Sequence, residues 1–199
     1  NASDVTVLSG PAATETAVKN AAAGHRVVHL ATHGFFLGAD CTPVPAGVRA
    51  VGGLVSLSGA AATAREENPL LLTGLVFAGA NKRGAAALDQ DEGILTAEEI
   101  AGLNLQGTEW AVLSACDTGI GQIKAGEGVI GLRRAFQVAG VRTIIMSLWS
   151  VEDQSTQVWM RYLYDARFNL QLSTTAAMRA ASVRVLKERR SLKQRTHPF

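Results

Sequence analysis

Glu109-Trp110-Ala111-Val112-Leu113-Ser114-Ala115-Cys116-Asp117-Thr118-Gly119 is the stretch on which the reading of the fold turns. Apolar and β-prone residues fill Trp110 to Leu113, so Glu109 to Ala115 reads as a buried strand running straight into Cys116. Asp117 to Gly126 is a glycine-rich loop. Glu127 to Ala139 then carries Ile130, Leu132, Ala135, Phe136 and Ala139 at helical spacing. Gly140 closes that helix, and Arg142 to Leu148 is a second β-branched strand. A strand, a helix and a strand in that order predict a parallel pair joined by a crossover.

Working upstream, Arg26 to Thr32 is a third apolar, β-branched run. It follows an Ala-rich helix from Pro11 to about Ala23, with Pro11 in the first turn and Gly24 as the stop. Val5 to Leu8 reads as a short strand. Gly34 to Gly53 is rich in Gly, Pro and small residues and reads as a long loop. Leu54 to Leu57 fits a strand or part of a hairpin, Ala60 to Asn68 a connection, and Pro69 to Ala80 either strand or helix. Thr96-x-x-Glu99 is a capping box that starts a helix at Ala97. Downstream, Ser150-x-x-Asp153 caps a helix to about Phe168, and Ser173 begins a last one to about Arg190. The alternation predicts an α/β fold in three layers, a mostly parallel sheet with helices on both faces.

Composition narrows the function classes. With 199 residues, 47% hydrophobic and 18% charged, the chain is a core-rich globular domain of single-domain length. The net charge of +2 is near balance, and Lys187, Arg189, Arg190, Lys193 and Arg195 account for much of the excess. No aromatic residues interleave with them, so they read as a solvated helix face and tail, and no nucleic-acid partner is expected. Two cysteines, Cys41 and Cys116, make no disulfide framework and suit a reducing compartment. No signal-peptide core or membrane-spanning apolar run is present, so the expectation is a cytoplasmic protein with no membrane partner.

In open parallel sheets, sites form where loops leave the carboxyl ends of the strands. One strand here ends in Thr32-His33-Gly34 and another in Ser114-Ala115-Cys116. If the two are neighbours, a thiol and a base emerge at one edge, as nucleophilic catalysis requires. Gly34 would let the backbone turn an N–H toward a developing oxyanion, and Gly119-x-Gly121 would leave the sulfur open to an extended peptide. A cysteine or histidine at a strand end is also commonly an inert structural residue. Dinucleotide binding is disfavoured, because Lys124 stands where the third glycine of Gly119-x-Gly121-x-x-Gly belongs and no Gly-Lys-Ser/Thr follows. His25, His29 and His33 are spaced by four, and along a strand each lies about 13 Å from the next. That spacing predicts no metal site.

His29-Leu30-Ala31-Thr32-His33-Gly34 and Val112-Leu113-Ser114-Ala115-Cys116-Asp117-Thr118-Gly119 resemble the two signature motifs of the CHAT domain, a caspase- and separase-related peptidase family. Further resemblance lies in Gly93 to Ile100, Gly126 to Phe136 and Ser147 to Asp153, so the likeness runs in order across residues 25 to 165. It implies a caspase-like fold and a cysteine endopeptidase that passes through a thioester, needs no cofactor and takes a protein or peptide as substrate. The catalytic His and Cys fall on His33 and Cys116, with Gly34 as oxyanion donor. Asp117, Trp149 and Asp153 become candidates for the substrate pocket, against core packing for Trp149 and a helix cap for Asp153. The resemblance also implies residues 1–199 as a single peptidase domain of a larger protein, beside a regulatory repeat or sensor domain. Family members usually continue past His197-Pro198-Phe199 into one more strand, so that strand is expected to be missing here. A silent caspase-like scaffold is the alternative function.

Overall fold

The computed structural model describes residues 5–36, 70–81, 92–114, 125–147 and 153–192. Its strands are β1 (Val27–Leu30), β2 (His33–Phe36), β3 (Thr73–Val76), β4 (Ile94–Thr96), β5 (Trp110–Leu113) and β6 (Thr143–Met146). Its α-helices are α1 (Glu15–Ala22), α2 (Ala97–Ala101), α3 (Ala125–Val138), α4 (Asp153–Tyr164) and α5 (Thr174–Ser191). The chain divides into two compact units, Asn1–Leu148 and Trp149–Phe199.

The first unit holds the expected parallel sheet, in the order β1-β5-β6. β5 is central and buried at every position, as its unbroken apolar run requires. Val28, Leu30, Ala111 and Leu113 share one face with Val18 and Ala22 of α1, Ile100 of α2, and Leu132, Ala135 and Phe136 of α3 in one core. Trp110, Val112 and Ile145 alternate onto the other face and are buried as well. The parallel sheet with helices around it is the α/β architecture expected from the sequence.

A second sheet, β2-β3-β4, is antiparallel throughout and was not anticipated. The chain leaves β1 at Leu30, turns through Ala31 and Thr32, and enters β2 at His33, so the first residues of the expected long loop are a strand. The ambiguous Pro69 to Ala80 run resolves into β3, whose Thr73, Gly74 and Leu75 are buried. Gly74 is required by close approach. A Cβ there would lie 2.5 Å from the Leu95 carbonyl oxygen and 2.9 Å from the Phe35 ring.

Local signals explain the helix limits. Gly10–Ala12 forms a 3-10 turn with Pro11 inside it, and Thr14 is the true cap of α1, its Oγ1 accepting from Ala17 N at 3.2 Å. Val5 to Leu8, expected as a strand, joins neither sheet, and Val5 and Val7 are exposed among the described residues. The capping box is present: Thr96 Oγ1 accepts from Glu99 N, and Glu99 Oε2 accepts from Thr96 N at 2.9 Å. That carboxylate also holds α1 to α2, because Lys19 Nζ donates to Glu99 Oε1 at 2.7 Å and to Glu15 Oε1. Buried Glu15 in turn accepts from Ile94 N at 3.2 Å.

In the second unit α4 and α5 pack side by side, joined through a π-helical turn at Asp165–Asn169. Ser173 caps α5 as expected, accepting from Ala176 N at 3.3 Å. Trp159 Nε1 donates to Ser182 Oγ and Tyr162 OH to Glu188 Oε1, which fixes the register of the two helices. No helix among the described residues is long and apolar enough to cross a membrane.

Burial alone would disfavour the charged form of Glu99, but its bonds from Lys19 and Thr96 outweigh that and hold its pKa below 4.5. Burial likewise opposes charge on Lys19, and the bonds to Glu15 and Glu99 outweigh it, raising Lys19 above 10.5. A depressed carboxylate stabilises the fold above its ordinary pKa and loses that contribution as pH falls through the folded value. The melting temperature is therefore expected to drop below about pH 4.5, and Lys19→Met to flatten that drop; an unchanged acid limb would refute the linkage. Gly74→Ala is expected to destabilise the chain by about 1–3 kcal/mol or more, read by denaturant unfolding.

Candidate functional site

The parallel register places Leu30 opposite Leu113, and Ser114 N donates to Leu30 O at 3.0 Å, one step beyond the last paired residues. Both chains thus leave the sheet at the same edge and the same level. The expectation that these two strands are neighbours holds. Cys116, Asp117 and Trp149 lie outside the described residues, and so do Gly119, Gly121 and Lys124. Ser114 is the last described residue before the cysteine.

His33 opens β2 opposite Val76, and its side chain is exposed. It is held by its neighbours on the chain: Thr32 Oγ1 donates to the Val76 carbonyl oxygen, and Thr73 Oγ1 donates to Phe35 O at 3.1 Å. The histidine therefore stands on a strand, where the sequence suggested the end of β1. The difference arises because Thr32 turns the chain and binds β3, a pairing that only the tertiary fold supplies.

Gly34 is buried opposite Leu75. In an antiparallel ladder the residues of a strand address alternate neighbours. Phe77 N donates to Gly93 O, so by alternation Leu75 addresses β4 while Gly74 and Val76 address β2. His33 and Phe35 are then the β2 residues bonded to β3, and the amide of Gly34 points away from that ladder. The donation of Ile94 N to Glu15, away from β3, follows the same alternation. Asp153 is the first residue of α4, exposed, in the acidic position that suits a helix N-terminus. It belongs to the second compact unit.

One pair escaped the sequence reading. His29, on β1, lies within 3.0 Å of Ser114 Oγ through its Nε2. His29 pairs in register with Val112, so Ser114, two residues on, shares its face. The signal is alternation along two adjacent strands, which becomes legible only once their register is known. The His29 ring keeps an exposed edge yet loses hydration against the sheet, and that burial holds its pKa below 6.5. Burial thus favours the neutral form of His29, in which either tautomer can make the bond to the hydroxyl.

The CHAT domain family matches residues 1–199, the whole chain. The chain belongs to the CHAT domain family, within the caspase-like peptidase clan. No curated protein matches it.

A histidine with a lowered folded pKa adds stability above the unfolded value that is lost as pH falls toward the folded one. An NMR titration of the imidazole resonances, assigned with His29→Gln, should give a His29 midpoint below 6.5. A midpoint at or above 6.5 would contradict the desolvated setting.

Proposed function

We propose that this domain is a cysteine endopeptidase in which Cys116 is the nucleophile and His33 its base. The observation that carries the reading is the strand register. His33 is the third residue after Leu30, and Cys116 is the third after Leu113, the two residues that face each other at the edge of the sheet. Family membership agrees with that chemistry.

The steps follow from the residue types. His33 takes the Cys116 proton, and the thiolate attacks the scissile carbonyl carbon. The oxyanion would accept from the Gly34 amide, which the β2–β3 ladder leaves unused. Collapse expels the amine, which takes the proton from the His33 imidazolium, and a thioester remains. His33 then draws a proton from water, hydroxide adds to the thioester, and the released thiolate is reprotonated. Cys116, His33 and water account for every proton and electron pair, so no cofactor is needed.

The substrate is a protein or peptide, with Asp117, Trp149 and Asp153 as candidate contacts; an acidic pocket would select a basic residue before the scissile bond. A reducing compartment such as the cytoplasm would keep the thiol available. A regulatory repeat or sensor domain in the parent protein would control its activity.

A peptide carrying a thiol-reactive warhead tests the reading. Labelling should vanish in Cys116→Ala and fall by about 10²-fold or more in His33→Ala. Absence of labelling in the unsubstituted chain, with and without added protein partners, would favour a silent scaffold instead.

A further inference from the structure

We propose that His29 and Ser114 form a positioning pair that holds the Cys116 segment at the reach of His33. This inference rests on the dyad reading above and adds to it a role for two residues outside the dyad.

Ser114 stands two residues before Cys116 and is the last described residue of the nucleophile's strand. It is tied twice to β1. Its amide donates to Leu30 O at 3.0 Å, and its hydroxyl meets His29 Nε2 at 3.0 Å. The first bond fixes the height of Ser114 along β1. The second fixes its rotation about the strand axis, because the side chain can reach His29 only from the face that His29 occupies. With both set, the direction in which the chain leaves toward Cys116 is constrained. β1 is also the strand from which the chain turns, through Thr32 and its bond to Val76 O, into His33.

One short segment of β1 therefore anchors both arms of the dyad. A misplacement of about 1 Å between reacting groups can lower a rate about 10²-fold, so a bond at this point has leverage that an equal bond elsewhere lacks. A neutral His29 also suits the task. Its imidazole offers a hydrogen-bond partner to the Ser114 hydroxyl in either tautomer.

The test reads the alkylation rate of Cys116 by iodoacetamide against pH, in the full chain carrying Cys41→Ser so that one thiol reports. A well-placed His33 stabilises the thiolate, and the inflection then lies below the ordinary thiol value of about 8.5. His29→Ala and Ser114→Ala should each move the inflection upward and slow alkylation at pH 7 about tenfold, with His29→Gln, whose amide can still meet Ser114 Oγ, recovering most of the rate. Thermal melts identify any variant that fails to fold. Ser114→Ala, which removes one oxygen, carries the test if His29→Ala does not fold. Profiles unchanged in the His29 and Ser114 variants, while His33→Ala shifts its own, would overturn the positioning role and leave the dyad standing. A profile unchanged in His33→Ala would sink the dyad and the positioning role together. Failure of His29→Gln to rescue would overturn the proposal, because the bond to Ser114 would then not be what matters.

Discussion

The parallel pairing of β1 with β5 is the constraint on which the rest of the first unit depends. Val27 faces Trp110 and Leu30 faces Leu113, although the strands lie far apart in sequence. The register is pinned at both ends by side chains as well as by the ladder. At the entry end, buried Thr108 donates through Oγ1 to His25 O at 2.9 Å, and Arg26 meets Glu109 at 2.7 Å. At the exit end, His29 meets Ser114. A slip by one residue would turn His29 toward the core shared with α1 and α3 and Leu30 away from it. The apolar pattern and the polar clamps thus specify the same alignment. The Arg26–Glu109 pair is largely exposed on the arginine side and adds orientation more than stability.

From that alignment the second sheet follows. Once β1 ends at Leu30, the chain turns within Ala31 and Thr32, and the Thr32 hydroxyl takes the Val76 carbonyl as its partner. β2 then runs antiparallel to β3, and β3 to β4. Gly74 lets the three strands close around the Phe35 ring, and Glu15 collects the outward amide of Ile94 on the far edge. The Lys19 bridge carries the same network into the capping box of α2. The polar groups of α1 thus serve the sheet that carries His33, while its apolar residues serve the core beneath the parallel sheet.

This division explains what could be read from the sequence. Elements set by their own residues were legible: the β-prone runs of β1, β5 and β6, the spacing of α3, and the caps at Thr96 and Ser173. Elements that exist only because a partner arrives were not. β2 carries Gly34, and a glycine beside a long small-residue stretch reads locally as loop; its pairing partner Thr73–Val76 lies distant in sequence and was itself ambiguous. Pro11 suggested the start of α1 correctly in kind, but it sits in a 3-10 turn and Thr14 makes the cap, a choice between two helix-starting signals that the tertiary position decides. The neighbourhood of the two strand ends was legible as architecture. The alternation that frees the Gly34 amide was not, since it depends on which residues of β3 address β4.

The two histidines of the first motif show how position divides chemical work. His29 lies within a strand, its ring against the sheet and its nitrogen engaged by a hydroxyl; lost hydration disfavours a charge there. His33, four residues on, lies past the turn on a different sheet, with its side chain exposed. A group that must gain and lose a proton in each cycle is best placed where water can solvate the charged form. A group that only holds a strand in place is better kept neutral. Had β1 continued without a turn, His33 would lie on the same face of the parallel sheet as His29. The change from parallel to antiparallel pairing at Ala31–Thr32 separates the two settings. The same turn that builds the second sheet therefore sets the base of the proposed dyad apart from the histidine that meets Ser114.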